Sequence, residues 1–382
     1  METRDGAGIY MKSIVEEVLS RFGPADAVEP VPTEFKEYSA DDAELERVLA
    51  TLKTSIKVIG CGGGGCNTIN RCVEAGIIGA EFYAANTDAQ HLLMIHAPHK
   101  ILLGRRGTRG LGAGAIPQVG EDAARETEDS IKAALAGSDL VFITCGLGGG
   151  TGTGSAPFVA KLAREMGAIT IAVCTLPFTA EGRVRGENAI YGLEKLCSAA
   201  DTVIAVPNDK LIELVPRLSL NAAFRIGDEV LMRAIKGITE IVTKPGLVNL
   251  DFNDIKTIMK GGGVSLIGMG ESEAENRAEE AVNDAINSPL IEVDIAGATG
   301  ALVNVTGGSD MTIEEAEKVA AVLQERLNPN ARLIWGAAID PAMERKISVM
   351  LIATGVKSKY IYGGGEHRAS RKKTDADIDL VD

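Results

Sequence analysis

A chain of 382 residues with 45% hydrophobic and 24% charged residues is long enough for two domains and apolar enough to bury a core, which excludes a disordered protein. Its net charge of −14 excludes sequence-independent nucleic-acid binding as the main activity, because neutralising phosphates requires a basic face. The apolar runs reach about ten residues, short of the ~20 that a membrane-spanning helix needs, and the start METRDGAG lacks a signal-peptide core, so a cytoplasmic protein is expected.

Residues 1–54 read as an N-terminal extension. In MKSIVEEVLSRF, Met11, Ile14, Val15, Val18, Leu19 and Phe22 recur at helical steps and line one face of an amphipathic helix; a proline-spaced acidic stretch follows, then a second short helix from about Asp41. From 55 to 218 the runs IKVIG, EFYAAN, ILLG, LVFITCG, ITIAVC and TVIAVP alternate with helical or loop stretches. That alternation predicts an α/β fold with a doubly wound, mostly parallel sheet, whose ligands sit beyond the carboxyl ends of the strands. Residues 219–243 place Phe224, Leu231, Ile235, Ile238 and Val242 at helical spacing, a single connecting helix of ~36 Å at the usual rise. Residues 244–358 read as a second, α+β domain, with strands near 264–269, 301–306, 332–339 and 347–354. Its helix starts are signalled by capping boxes at Ser272 with Glu275 and Thr312 with Glu315. Residues 359–382 read as a flexible tail ending TDADIDLVD. Six cysteines (Cys61, Cys66, Cys72, Cys145, Cys174 and Cys197) form no CxxC pair and are expected to be reduced packing residues.

Three glycine-rich loops follow strand-like runs: GCGGGG at 60–65, RRGTRGLGAGAIP at 105–117 and GLGGGTGTGS at 146–155. Successive glycines at a strand end let backbone N–H groups converge on an anion at a helix N-terminus, where the macrodipole adds to the attraction. Gly60, Gly62 and Gly65 fit GxGxxG, which alone would equally suit a dinucleotide or close strand-to-helix packing. A second cradle at a neighbouring strand end favours one polyphosphate lying along a single nucleotide. Thr151 and Thr153 offer hydroxyls, and no GxxxxGK[ST] loop is present.

GGGTGTG at 148–154 resembles the signature of the tubulin/FtsZ family of GTPases. GCGGGG, NTDAQ (86–90), TRGLGAGA (108–115), PFTAEGRVR (177–185), PND (207–209) and NLDFNDIK (249–256) follow the order of the FtsZ branch, in wording similar to its archaeal members. The resemblance covers roughly 55–355. It implies a Rossmann-like GTP-binding domain at 55–218, a connecting helix at 219–243 and a C-terminal domain that activates the GTPase at 244–358. It also implies that Gly62, Gly63, Gly64 and Gly65, with Gly112, Ala113 and Gly114, and with Gly148, Gly149, Gly150, Thr151, Gly152, Thr153 and Gly154, wrap the phosphates of GTP or GDP. Glu181 and Arg185 then contact the ribose side, and Asn67, Phe224 and Asp228 hold guanine. An aspartate at 228 would accept from the guanine N1–H and 2-amino group, a donor pair that adenine lacks.

The resemblance makes Asp251 and Asp254 the catalytic pair, although by themselves they are an ordinary N-cap and third-position acid of a helix starting near Phe252. Asp251 lies 23 residues beyond Asp228, ~35 Å at helical rise, too far to serve its own nucleotide. A head-to-tail contact that does not close would bring it to a neighbour's and build an open filament. The implied protein is a self-assembling division GTPase with Mg²⁺ as the expected ion, itself as principal partner, and membrane-tethering or regulatory division proteins docking on its tail. It would act in the cytoplasm at the division site. A shape-determining filament GTPase and a dehydrogenase using GCGGGG for NAD are the alternatives. Cys66, Ile116 and Asn253 depart from common family residues, and the tail lacks the bacterial C-terminal peptide. His91, His96 and His99 are expected to be surface histidines rather than metal ligands.

Overall fold

The structure is a computed structural model that describes residues 54–214, 220–244, 246–248, 250–291 and 295–356. The helices read at the N-terminus and the tail at 359–382 lie outside the described residues.

The strand β1 (Ile56–Cys61) is buried along its whole length, as are nearly all of β4 (Leu140–Gly146), β5 (Ile169–Leu176) and β6 (Thr202–Pro207). Strands this apolar belong to a sheet covered on both faces. Alternate side chains sort accordingly. Ile59, Cys61, Val141 and Ile143 face α3 (Pro117–Glu126), α4 (Glu128–Leu135), α5 (Thr151–Glu165) and α6 (Arg183–Ala199). Ile56, Val58, Leu140 and Phe142 face α1 (Gly62–Glu74), α7 (Asn208–Leu214), α8 (Leu220–Thr243) and α9 (Phe252–Met259). One charge sits in β1: Lys57 is 7% exposed, and its ammonium donates to the Ala134 and Ala136 carbonyls at the C-terminal end of α4, each at 2.8 Å.

With β2 (Ala80–Asn86) and β3 (His99–Leu102) the parallel half has the order β3-β2-β1-β4-β5-β6, which reverses direction between β1 and β4. The loops beyond these two strands flank the crevice where such sheets bind ligands. The short α2 (Ala89–Met94) follows β2.

The second half continues the same sheet. β7 (Gly263–Ser272) joins β6 through three parallel pairs, Thr202 to Gly263, Val203 to Val264 and Ile204 to Ser265. β10 (Ile347–Thr354) runs antiparallel between β7 and β8 (Gly300–Gly307), and β9 (Arg332–Ile339) closes the edge parallel to β8. The helices α10 (Arg277–Ile286) and α11 (Ile313–Arg326) cover this half from one face.

The capping box of Thr312 and Glu315 is present at the start of α11. That of Ser272 and Glu275 is not. Ser272 is the last residue of β7, its hydroxyl donating to Glu280 and accepting the Ala274 N–H, and α10 begins only at Arg277 with Asn276 as N-cap. All six cysteines are free, and all but half-buried Cys197 are buried. Among the described residues no helix is long and apolar enough to cross a membrane.

Candidate nucleotide site

Two helix N-termini meet at the switch point. α1 starts at Gly62 directly after β1, α5 at Thr151 after β4, and neither N-cap, Cys61 or Gly150, contributes a side-chain cap. The first-turn N–H groups of both helices therefore lack an intrahelical partner and point toward one space, with the positive ends of two dipoles behind them. They approach backbone to backbone: a β-carbon at Gly62, whose φ is +73°, would lie 2.6 Å from the Gly152 nitrogen.

The glycines of the loops divide into two kinds. A side chain at Gly65 would overlap the Thr144 carbonyl, one at Gly150 that of Gly114, and one at Gly154 that of Pro117; one at Gly64 or Gly152 would crowd Gly146, and at Gly148 the Arg185 carbonyl. These positions are bare so that elements can touch. At Gly63, Gly112, Gly114 and Gly149, by contrast, nothing lies within 4 Å of an added β-carbon. The open positions come from all three loops and border the space beyond the two helix ends.

Hydroxyls and amides brace the loops. Thr151 Oγ1 lies 2.6 Å from Thr87 Oγ1, joining the loop after β4 to that after β2. Thr153 is fully buried, and its hydroxyl accepts the Gly148 N–H at 2.9 Å, so it shapes the loop from beneath instead of lining the space. Asn188, which the sequence did not single out, donates to the carbonyls of Ala115 and Gly148 at 2.9 and 3.3 Å and ties two glycine loops together. Ala113 is buried against Gly150, and exposed Ile116 serves as N-cap of α3 before Pro117. Cys66 directs its thiol at the Gly60 and Ala85 carbonyls, 3.7 and 3.6 Å away.

Beside the cradle, Glu181 is paired with Arg185 and accepts the Phe178 N–H at 2.9 Å, while Asp209 accepts the Thr179 N–H at 3.0 Å. Phe224 meets buried Phe178 edge to face, with ring centroids 5.0 Å apart, and is itself 40% exposed. Asp228, on the same helix, lies near Thr68 and Arg71 of α1. Burial pushes its carboxyl up to about 7, against the opposing pull of the Arg71 guanidinium and the Thr68 hydroxyl. Asn67 is exposed on α1, where its Oδ1 meets His91 Nε2 at 3.2 Å. Of the three histidines, His91 is thus bonded within this site, His99 stacks on Tyr83 at 4.7 Å, and His96 is exposed.

Asp251 and Asp254 open α9, after Val248 and Leu250, which meet Ala337 and Gly336 of β9. Asp251 caps α9 and accepts the Asn253 N–H and side-chain amide at 3.3 and 3.4 Å; its own N–H meets Asp254 Oδ2 at 3.4 Å, and both acids are exposed. α8 stops at Thr243, so the separation from Asp228 is not one uninterrupted helical run. The Met259 carbonyl of α9 accepts from Thr202, the first residue of β6, and Ile255 and Ile258 share a core cluster with Ile169, the first of β5.

Two family models match this chain: the Tubulin/FtsZ family GTPase domain over residues 55–216 and the FtsZ family C-terminal domain over 263–357. Among known proteins it is similar to cell division protein FtsZ 1 of Archaeoglobus fulgidus, 56% identical over 364 residues that cover 95% of this chain and 98% of that one. It is likewise similar to cell division protein FtsZ of Haloferax mediterranei, 54% identical over 97% of this chain and 100% of that one. Among solved structures, an FtsZ dimer of M. jannaschii superimposes with a TM-score of 0.80 at 54% identity, covering 84% of this chain and 94% of that one.

Proposed function

The chain belongs to the tubulin/FtsZ family of GTPases, and from that premise we propose that it is a cell-division protein whose copies stack head to tail and hydrolyse GTP where they meet. The observation that carries this reading is that the uncapped pair of helix N-termini beyond β1 and β4 and the exposed aspartate pair of α9 stand on separate elements. Apolar side chains are also exposed: Leu111, Ile116 and Val184 around the glycine loops, Ile78 before β2 and Leu247 before α9. The relatives named above are division proteins, which supports division over a shape-determining role.

In this reading the N–H groups of Gly62, Gly63 and Gly64, of Gly112 and Gly114, and of Gly148 to Thr151 hold the phosphates and stabilise charge on the leaving oxygens. Glu181 and Arg185 face the ribose; Phe224, Asp228 and Asn67 face the base. Asp251 and Asp254 of the next copy orient and polarise the attacking water. Among the described residues no cluster of three or more His, Cys, Asp or Glu could hold a metal ion, so Mg²⁺ would ride mainly on the nucleotide's own oxygens, with the Thr87 and Thr151 hydroxyls beside it. When bound it neutralises phosphate charge. The protein works in the cytoplasm at the division site, where the tail at 359–382 docks a membrane-tethering or regulatory protein.

The test is phosphate release from GTP per molecule across a range of protein concentrations, with light scattering on the same samples. A specific rate that rises from near zero above a threshold, together with scattering, is the expected result. A rate independent of concentration would abandon the shared site.

A further inference from the structure

The turn after β2 carries a chain of hydrogen bonds that runs in one direction. The Asp88 backbone N–H donates to Asn86 Oδ1 at 3.4 Å, Asn86 Nδ2 meets His91 Nδ1 at 3.2 Å, and His91 Nε2 meets Asn67 Oδ1 at 3.2 Å. A backbone N–H can only donate, so the atom it meets on Asn86 is the oxygen and the Asn86 amide nitrogen is the donor to His91 Nδ1. An imidazole that accepts at Nδ1 carries its proton on Nε2. His91 Nε2 therefore donates to Asn67, and the amide of Asn67 is held oxygen inward. Asn86 is only 3% exposed, so the start of this relay is fixed in the core, whereas Asn67 is exposed at its end. What Asn67 presents outward is its NH₂ group, a donor.

Asp228, an acceptor when ionised, lies near Thr68, the residue after Asn67. A donor beside an acceptor matches guanine, whose O6 accepts next to an N1–H and an amino group that donate; adenine presents an amino donor at position 6 instead. A flipped Asn67 would turn an oxygen toward the base and favour the adenine pattern.

We propose that His91 is a positioning residue for base selection: through the Asn86–His91–Asn67 relay it fixes the Asn67 amide so that the site takes a 6-oxopurine and rejects a 6-aminopurine. The proposal rests on the assignment of Asn67 and Asp228 to the nucleobase in the preceding section. In this proposal His91 acts through Asn67 and not by contact with the nucleotide.

The experiment measures dissociation constants for GTP, ITP and ATP with the full chain, His91→Ala and His91→Gln. In the glutamine variant the side-chain amide nitrogen stands near the place of Nε2 and can still donate to Asn67; in the alanine variant nothing holds the amide. The expected result is a roughly tenfold fall in the GTP-over-ATP ratio for His91→Ala, the scale of one directed hydrogen bond, with largely restored preference in His91→Gln. ITP, which keeps O6 and N1–H, should weaken alongside GTP. A ratio unchanged in His91→Ala, including the case where GTP and ATP weaken equally because the turn is damaged, overturns the proposal, and so does equal loss in both variants. Absence of any GTP preference in the unsubstituted protein overturns the parent assignment instead.

Discussion

Asp228 holds a carboxyl in surroundings that oppose its ionisation. Its native pKa of about 7 stands above the ordinary aspartate value near 4, so between those values the folded protein binds a proton that the unfolded chain does not. Stability contributed by the protonated form is fully present below pH ~4, declines as pH rises, and is lost above ~7. Asp228→Asn should therefore leave the nucleotide-free protein's melting temperature unchanged near pH 4 and raise it at pH 8, by up to about 4 kcal/mol in stability. In the proposed site guanine would reverse the preference, since its two N–H donors favour the anion. Lowering the pH from 8 to 6 should weaken GTP binding to the unsubstituted protein by up to about tenfold per pH unit below 7, and the asparagine variant should bind weakly with a flatter profile over that range. A titration of GTP affinity against pH checks both. At the start of α9, Asn253 holds Asp251 through its backbone N–H and its amide. Asn253→Ala keeps the N–H and loses the amide contact, and should lower phosphate release severalfold while leaving GTP affinity unchanged.

The strand-to-helix units show how far composition can be read and where it stops. The glycine runs announce bare backbone at strand ends, and the alternation of apolar runs with helical periods announces a parallel sheet; both are in place. The runs do not reveal which glycine admits a neighbour and which borders open space. Gly154 is bare because α5 passes against the Pro117 carbonyl, whereas Gly149 has nothing near it. Gly154→Ala should lower the melting temperature, at a cost of about 1–3 kcal/mol, with or without nucleotide. Gly149→Ala should melt like the unsubstituted protein when nucleotide-free yet bind GTP less tightly, because its methyl would occupy space assigned to phosphate. Thermal melts with and without GTP separate the two. Other features were hidden because their partners are distant in sequence. The join between β6 and β7 rests on only three residue pairs, so it carries no pattern of its own. Ser272 and Glu275 have capping-box spacing, but strand pairing with Ile347 keeps Ser272 in β7. His91 is one of three histidines of similar spacing, and only the fold brings it to Asn67, 24 positions away. The aspartate pair was legible locally as a helix cap. Its distance from the cradle depends on where α9 meets the sheet, which helical counting across the break after Thr243 does not capture.

At the scale of the molecule the decisive fact is polarity. The parallel half of the sheet gives the protein a direction: helix N-termini gather beyond its strand ends, and the C-terminal end of α9 meets the start of β6. In the proposed filament, copies joined end to end would repeat without closing, and each contact would draw its cradle from one copy and its acidic pair from another. Asp251→Ala should accordingly bind GTP and assemble, yet release phosphate slowly. The sharper expectation concerns mixtures. Asp251→Ala retains an intact cradle, and Asp228→Asn retains an intact acidic pair. In randomly co-assembled filaments about a quarter of the contacts would pair a sound cradle with a sound aspartate, so an equal mixture of two weakly active variants should recover roughly that share of normal phosphate release. Variants that complete the site within one chain cannot complement each other in this way, and a mixture no more active than the mean of its components would show that the two ends never share a nucleotide.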